Sequence, residues 1–241
     1  MRLERKQGFY EKYVKRLLDI LCALFALLAF SWLYVTIAIM VWVNLGTPVF
    51  FKQPRPGMID PKIGRERIFY MYKFRTMTDK RDGKGNPLPD ERRLTPFGRK
   101  LRASSLDELP GVFNILAGDM SVIGPRPQLV RDMVFMTDAQ RMRHTAKPGL
   151  SGLAQVNGRN AISWDEKLAW DLEYIKHVTF IGDLKILAAT VIKVFGNHES
   201  SEELDIADDY GDYLLKSGKI SDSVYVEKQE EAEAILTGRY N

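Results

Sequence analysis

Residues 20–43 carry no charged side chain, and that run constrains the fold more than any other feature of the chain. Coiled as a helix, about 24 residues extend about 36 Å, against a hydrocarbon core about 30 Å thick. Insertion into a bilayer is the expectation. The run is too long for an ordinary signal-peptide apolar region, and no small-residue cleavage pattern follows it. A buried helix of a water-soluble domain is seldom apolar on every side over such a length.

The flanks speak to how the run sits. Arg2, Arg5, Lys6, Lys12, Lys15 and Arg16 precede it, and Lys52, Arg55, Lys62, Arg65, Arg67, Lys73 and Arg75 follow it. Basic flanks favour the cytoplasmic side. A helix that bends midway and returns to its own leaflet satisfies both flanks, whereas a straight span satisfies one. Ser31 stands near the middle, where a hydroxyl can bond a carbonyl released at a bend. The next residue is Trp32 rather than proline, so spanning stays open as the alternative.

The rest reads as a mainly α protein with a small β component, a compact globular domain behind the membrane helix. Residues 1–46 form the basic segment and membrane run, 47–195 the central domain, and 196–241 an acidic extension. Residues 47–51 read as extended, Gln53-Pro54-Arg55-Pro56-Gly57 as loop or turn, and residues 68–77 as a strand by alternation. Residues 79–91 are a polar, glycine-bearing loop, and 99–118 a helix in two pieces. Two amphipathic helices follow. Trp164, Leu168, Leu172 and Ile175 mark one apolar stripe, and Leu184, Leu187, Ala188, Val191, Ile192 and Phe195 another. Core packing and burial at the membrane interface both explain such stripes. Residues 196–241 hold twelve Asp/Glu against four Lys/Arg, which leaves the body strongly basic. Such a body suits an anionic partner, while the tail reads by default as solvated.

The lone Cys22 permits neither a disulfide nor a cysteine-based zinc site. His144, His177 and His198 have no metal-ligand spacing and read as solvated or core histidines. Ser105-Leu106-Asp107-Glu108-Leu109-Pro110 has an ordinary structural explanation. Ser105 and Glu108 fit a capping box, or Asp107 caps with Pro110 in the first turn. The same pair also fits chemistry, since a carboxylate attacks phosphorus to give an aspartyl phosphate, and a neighbouring one holds Mg²⁺ against a diphosphate. In Gly124-Pro125-Arg126-Pro127 the prolines restrict the backbone around an arginine suited to clamp phosphate. Lys73, Arg75 and Arg159 are further candidates, each individually explained as surface charge.

With these pieces in order, the chain resembles the bacterial sugar transferase family, the monotopic phosphoglycosyl transferases. The likeness runs from about residue 15 to 195. It is carried by Lys15-Arg16-Leu17-Leu18-Asp19, Gln53-Pro54-Arg55-Pro56-Gly57, Tyr72-Lys73-Phe74-Arg75-Thr76-Met77, Ser105-Leu106-Asp107-Glu108-Leu109-Pro110, Gly118-Asp119-Met120-Ser121, Gly124-Pro125-Arg126-Pro127, and Pro148-Gly149-Leu150-Ser151-Gly152 with Gln155-Val156-Asn157-Gly158-Arg159-Asn160. The resemblance implies transfer of a sugar phosphate from a UDP-sugar to polyprenyl phosphate, with UMP released, by a ping-pong scheme. In it Asp107 is the catalytic nucleophile, Glu108 the Mg²⁺ ligand, and Arg126 a phosphate contact. Lys73, Arg75, Arg159 and Asp171 match polar positions of the family's active face and are assigned to substrate binding. A re-entrant helix on the cytoplasmic face of the bacterial inner membrane, with interfacial amphipathic helices beside it, is also implied. Trp32 departs from the family, which typically has proline there. A membrane-anchored scaffold whose carboxylates only cap a helix is the alternative. Nucleic-acid binding ranks last, because aromatic interleaving and a recognition helix are both lacking.

Overall fold

The computed structural model describes residues 5–158, 162–196 and 208–238. A π-helical turn, Tyr10–Val14, leads into α1 (Lys15–Ala29), followed by α2 (Ser31–Leu45), β1 (Phe50–Asp60) and β2 (Arg65–Phe74). Next come α3 (Asp90–Arg93), α4 (Pro96–Ala103), α5 (Gly111–Ala117), β3 (Ser121–Ile123), α6 (Val130–Met133), α7 (Asp138–Arg141) and β4 (Gly149–Ser151). The chain closes with α8 (Leu153–Val156), α9 (Trp164–Lys176), α10 (Phe180–Gly196), α11 (Tyr210–Lys216) and α12 (Asp222–Leu236). Helix predominates and the β component is small, as expected: one antiparallel hairpin, β1 with β2, and one short parallel pair, β3 with β4.

The apolar run is broken at Phe30, and the helices on either side are bent by 66°. Among the described residues no single helix is long and apolar enough to cross a membrane, whereas this bent pair meets the test together. No proline makes the bend. The Ser31 hydroxyl donates to the Leu28 carbonyl at 3.1 Å and the Thr36 hydroxyl to the Trp32 carbonyl at 2.8 Å, supplying the side-chain bonds that accompany a kink. Outward, Phe25, Leu28, Trp32, Val35, Trp42 and Val43 are exposed. Inward, Ala23 packs with Phe69, Met71, Val112 and Ile115, while Ile37 and Val41 pack with Phe74 and Leu101.

The polar residues just before the run fasten it to the body. Asp19 accepts from the Ser121 hydroxyl and the Val122 amide, each at 2.9 Å. Arg16 donates to the Ile115 and Leu116 carbonyls at the end of α5, where a cation is favoured. Lys15 pairs with Asp183 of α10, which also accepts from Tyr10 and Tyr174.

Gln53-Pro54-Arg55-Pro56-Gly57, read from sequence as a loop, instead forms the middle of β1, with Gln53 opposite Met71 and Pro56 opposite Ile68. A two-stranded hairpin leaves both outer edges open, so prolines fit without disrupting a second ladder. On the other edge of the hairpin, the buried Asn114 of α5 takes the place of a third strand. Its amide donates to the Tyr70 carbonyl at 2.8 Å and its oxygen accepts from the Tyr72 amide at 2.9 Å.

Helix α9 buries Leu168 and Ile175 of the expected stripe. In α10 only part of the stripe is covered: Leu187 packs inward, while Leu184, Val191 and Ile192 stay exposed with Phe180 and Ile181. The acidic tail differs from the solvated expectation. Tyr210, Leu214 and Ala232 are buried with Val130, Met133, Phe135 and Leu168. A Cβ at Gly211 would lie 2.5 Å from the Phe135 ring, so α11 docks closely at a position that only glycine fits without a shift. Charge counting alone hid this apolar stripe.

Candidate active site

Asp107 lies in a 3-10 turn, Leu106–Glu108, between α4 and α5. Successive side chains in such a turn point about 120° apart, so the two carboxylates diverge. Neither capping arrangement expected from sequence forms. Ser105 adopts a left-handed backbone at φ 56°, alone among the described non-glycine residues, and caps no turn with its side chain. That conformation is sparsely populated for serine and marks local strain beside the carboxylates. Leu106 and Leu109 pack against the cluster of Ile37 and Val41 of α2, Phe74 of β2 and Leu101 of α4, and Tyr34 of α2 donates to the Leu109 carbonyl at 3.1 Å. The acidic turn is therefore seated among β2, α4 and the second arm of the bent helix pair.

Both carboxylates line one open cleft of about 850 Å³, a size that accommodates a nucleotide-like ligand. Their electrostatic states differ. The Asp107 carboxylate makes no hydrogen bond or ion pair within the described residues. Burial raises its pKa to about 6, a rise that Glu108 reinforces and that Lys73, Arg102 and Arg126 oppose. Burial pushes Glu108 up too, but Arg126 and Lys73 outweigh it and hold Glu108 well below the usual carboxylate range. Arg126 grips Glu108 in a fork, at 2.6 Å to Oε1 and 3.2 Å to Oε2, and Lys73 Nζ lies 2.8 Å from Oε1. One carboxylate is thus poorly solvated and without a hydrogen-bond partner among the described residues, its neighbour clamped and ionised, a division that suits adjacent acids with different tasks.

Arg126 is aimed by backbone packing. Gly124 and Gly149 sit so close that a Cβ on Gly149 would lie 2.1 Å from the Gly124 nitrogen. The two glycine-bearing motifs meet backbone to backbone, with the Gly124 amide donating to the Ser151 carbonyl at 2.9 Å and the Gly149 amide to the Pro125 carbonyl at 3.0 Å. Arg143 completes the support by donating to the Arg126 carbonyl at 2.6 Å while holding Asp171 through Nε and Nη2. Behind it, His144 Nδ1 lies 2.9 Å from Glu66 Oε1 and Arg141 pairs with the same carboxylate.

Of the residues singled out in the sequence, Asp107, Glu108, Lys73, Arg75 and Arg126 line the cleft. Arg75 is nearly buried and donates to the Thr47 carbonyl at 2.9 Å and to Asp79 at 3.3 Å. Asp171 is not brought to the cleft. It is 1% exposed and engaged by Arg143, so it holds the arm behind Arg126 rather than facing a ligand. Arg159 lies outside the described residues. Arg143 itself went unnoticed, because one arginine in a short helical stretch looks like any surface residue until its partner at position 171 is known.

Residues 10–197 match the family described as bacterial sugar transferase. The chain belongs to that family. Among related proteins, this sugar transferase chain is 49% identical to the sugar transferase EpsL of Bacillus subtilis over 75% of its own length and 87% of the relative's. It is 34% identical to the exopolysaccharide production protein ExoY of Sinorhizobium fredii, over 73% and 83% of the two chains. It is also 37% identical to the UDP-glucose:undecaprenyl-phosphate glucose-1-phosphate transferase of Xanthomonas campestris, covering 78% of this chain but only 40% of that protein. The family match ends before α11, so the packed tail helices lie outside it.

Among the described residues, no three metal-binding side chains cluster. Mg²⁺ is commonly held by one or two carboxylates together with substrate phosphates, and Glu108 offers a donor of that kind. Glu108 here gives both oxygens to Lys73 and Arg126. The donor chemistry fits a divalent cation, on condition that one of those cations turns to another anion.

Proposed function

We propose that this sugar transferase moves a sugar-1-phosphate from a UDP-sugar to polyprenyl phosphate through a covalent intermediate on Asp107. The observation that carries the reading is the Asp107 carboxylate, buried in the cleft with no hydrogen-bonding partner among the described residues, beside a Glu108 already neutralised by Arg126 and Lys73. In the first half-reaction a carboxylate oxygen of Asp107 forms a bond to the β-phosphorus, the bond from that phosphorus to the bridging oxygen breaks, and UMP departs with the electron pair. In the second, a phosphate oxygen of the polyprenyl acceptor attacks the same phosphorus and displaces the Asp107 carboxylate. The product is a polyprenyl diphosphosugar.

The cations explain how a carboxylate approaches a dianionic donor. Lys73 and Arg126 hold two positive charges beside Asp107, offset in part in the unliganded site by the single charge of Glu108. An arriving diphosphate competes for them, and a guanidinium fork suits phosphate as well as carboxylate. Transfer of the cations to the phosphates frees Glu108, which would then hold Mg²⁺. The metal would supply further neutralisation of the diphosphate.

The bent helix pair and the exposed apolar side of α10 support a seat in the bacterial membrane, with both helix ends returning to one leaflet and the basic flanks on the cytoplasmic face. The active turn, resting on α2, then lies at the depth of a lipid-borne phosphate.

A screen of UDP-sugars with Mg²⁺ and polyprenyl phosphate is expected to show UMP release with at least one donor. Complete inactivity across the panel contradicts the reading. The pH profile carries a second expectation. The nucleophile must be ionised and its pKa stands at about 6, so kcat/KM falls about tenfold per unit as pH drops below that value. An acid limb near pH 4, the range of an ordinary carboxylate, contradicts a raised pKa at the nucleophile.

A further inference from the structure

The cleft does not end where the family match ends. Asp209, which immediately precedes α11, lines the same cleft as Asp107, together with Arg131, Asp132, Trp164 and Lys167. These residues are tied to the tail. Arg131 pairs with Asp209 at 2.6 Å, and the buried Asp132 accepts from the Tyr210 amide at 3.0 Å. The Trp164 indole donates to the Asp208 carbonyl at 2.8 Å, and its ring packs on that of Tyr210 with centroids 5.1 Å apart. Arg55, which donates to the Pro127 carbonyl at 3.0 Å, is within electrostatic reach of Glu108 and Arg126 and also of Asp132 and Arg131. The anion-clamping end and the tail end are thus continuous.

Their chemistry differs. At the tail end Asp132 and Asp209 are balanced by Arg131 and by Lys167, whose ammonium stands 5.3 Å over the Trp164 ring, so it offers a diphosphate no net positive charge and suits a neutral, hydroxyl-bearing group. Carboxylates accept strongly from hydroxyls, and an aromatic face packs against a ring. We propose that α11 and its flanking Asp209 complete the donor cleft, with Asp209 accepting hydrogen bonds from vicinal hydroxyls of the donor and Trp164 held as the apolar surface beside them. This rests on the UDP-sugar reading above. Vicinal hydroxyls occur both on the ribose of uridine and on the transferred sugar.

The test measures equilibrium binding of UMP and a panel of UDP-sugars, alongside UMP release, for wild type, Asp209→Asn and Asp209→Glu. Loss of a charged acceptor is expected to weaken donor binding about tenfold or more, with kcat little changed and partial recovery in Asp209→Glu. Equal losses for UMP and every donor assign the contact to ribose. Losses that vary among donors and spare UMP assign it to the sugar. Tyr225→Phe, which removes the hydroxyl that bonds Asp212 and Gln229 at the outer side of the tail, serves as the control for a loosened tail and is expected to leave binding intact. Unchanged donor binding in Asp209→Asn, or equal weakening in Tyr225→Phe, overturns the proposal. Donor binding that depends on Asp209 in a protein that never releases UMP would refute the reaction and leave the wall standing.

Discussion

Asp107→Asn is expected to lower transfer by on the order of 10⁴-fold or more, the scale seen when a member of a covalent catalytic group is removed, while the protein stays folded and becomes more stable at neutral pH. The first half follows because an amide does not form the phosphoryl bond. The second follows from linkage. The Asp107 pKa is raised from 3.8 to about 6 in the folded protein, so its contribution to stability is fully present below about pH 4 and is lost as pH rises through about 6. At pH 7 to 8 the ionised, poorly solvated carboxylate weighs against folding. Asparagine removes that charge at the cost of a buried amide, for a net gain on the order of 1–2 kcal/mol. The gap between the two proteins in urea unfolding should shift in favour of Asp107→Asn from about pH 4 to about pH 6 and stay level above that. A variant that is both inactive and less stable at neutral pH would mark Asp107 as a structural residue.

Arg143→Met carries the largest expected loss of stability, about 3–5 kcal/mol, because it leaves the Asp171 charge buried without its partner. Both side chains are almost fully buried, at 1% and 2% exposure. The same change strips the Arg126 carbonyl of its donor, so activity should fall even where the protein remains folded. The companion Asp171→Asn separates two roles. If Asp171 only positions Arg143, its loss lowers stability and slackens Arg126, and the effect is uniform across donors. A donor-dependent change in KM at wild-type stability would show instead that Asp171 touches substrate.

Much of this architecture is legible in the chain before folding. The uncharged run, the strand around Lys73, the two-piece helix around Asp107 and the arginine between prolines each follow from local rules of hydropathy, alternation and proline geometry. Local rules failed where a distant partner decides. Gln53-Pro54-Arg55-Pro56-Gly57 looks like a turn until β2 pairs with it. Ser105 and Glu108 have capping-box spacing, yet Arg126 and Lys73 take Glu108 away from that task. Asp171 resembles an active-face carboxylate, and only contact with Arg143 shows it facing inward. The tail reads as solvated because its twelve acidic residues dominate composition, whereas Tyr210, Gly211 and Leu214 supply the buried stripe.

The most direct measurement is the intact mass of the protein after incubation with an active UDP-sugar and Mg²⁺ in the absence of polyprenyl phosphate. A gain equal to one sugar phosphate, mapped by peptide analysis to Asp107, absent from Asp107→Asn and discharged on adding the lipid acceptor, is the predicted result. UMP released only when both substrates are present, from a protein whose mass never changes, would contradict it.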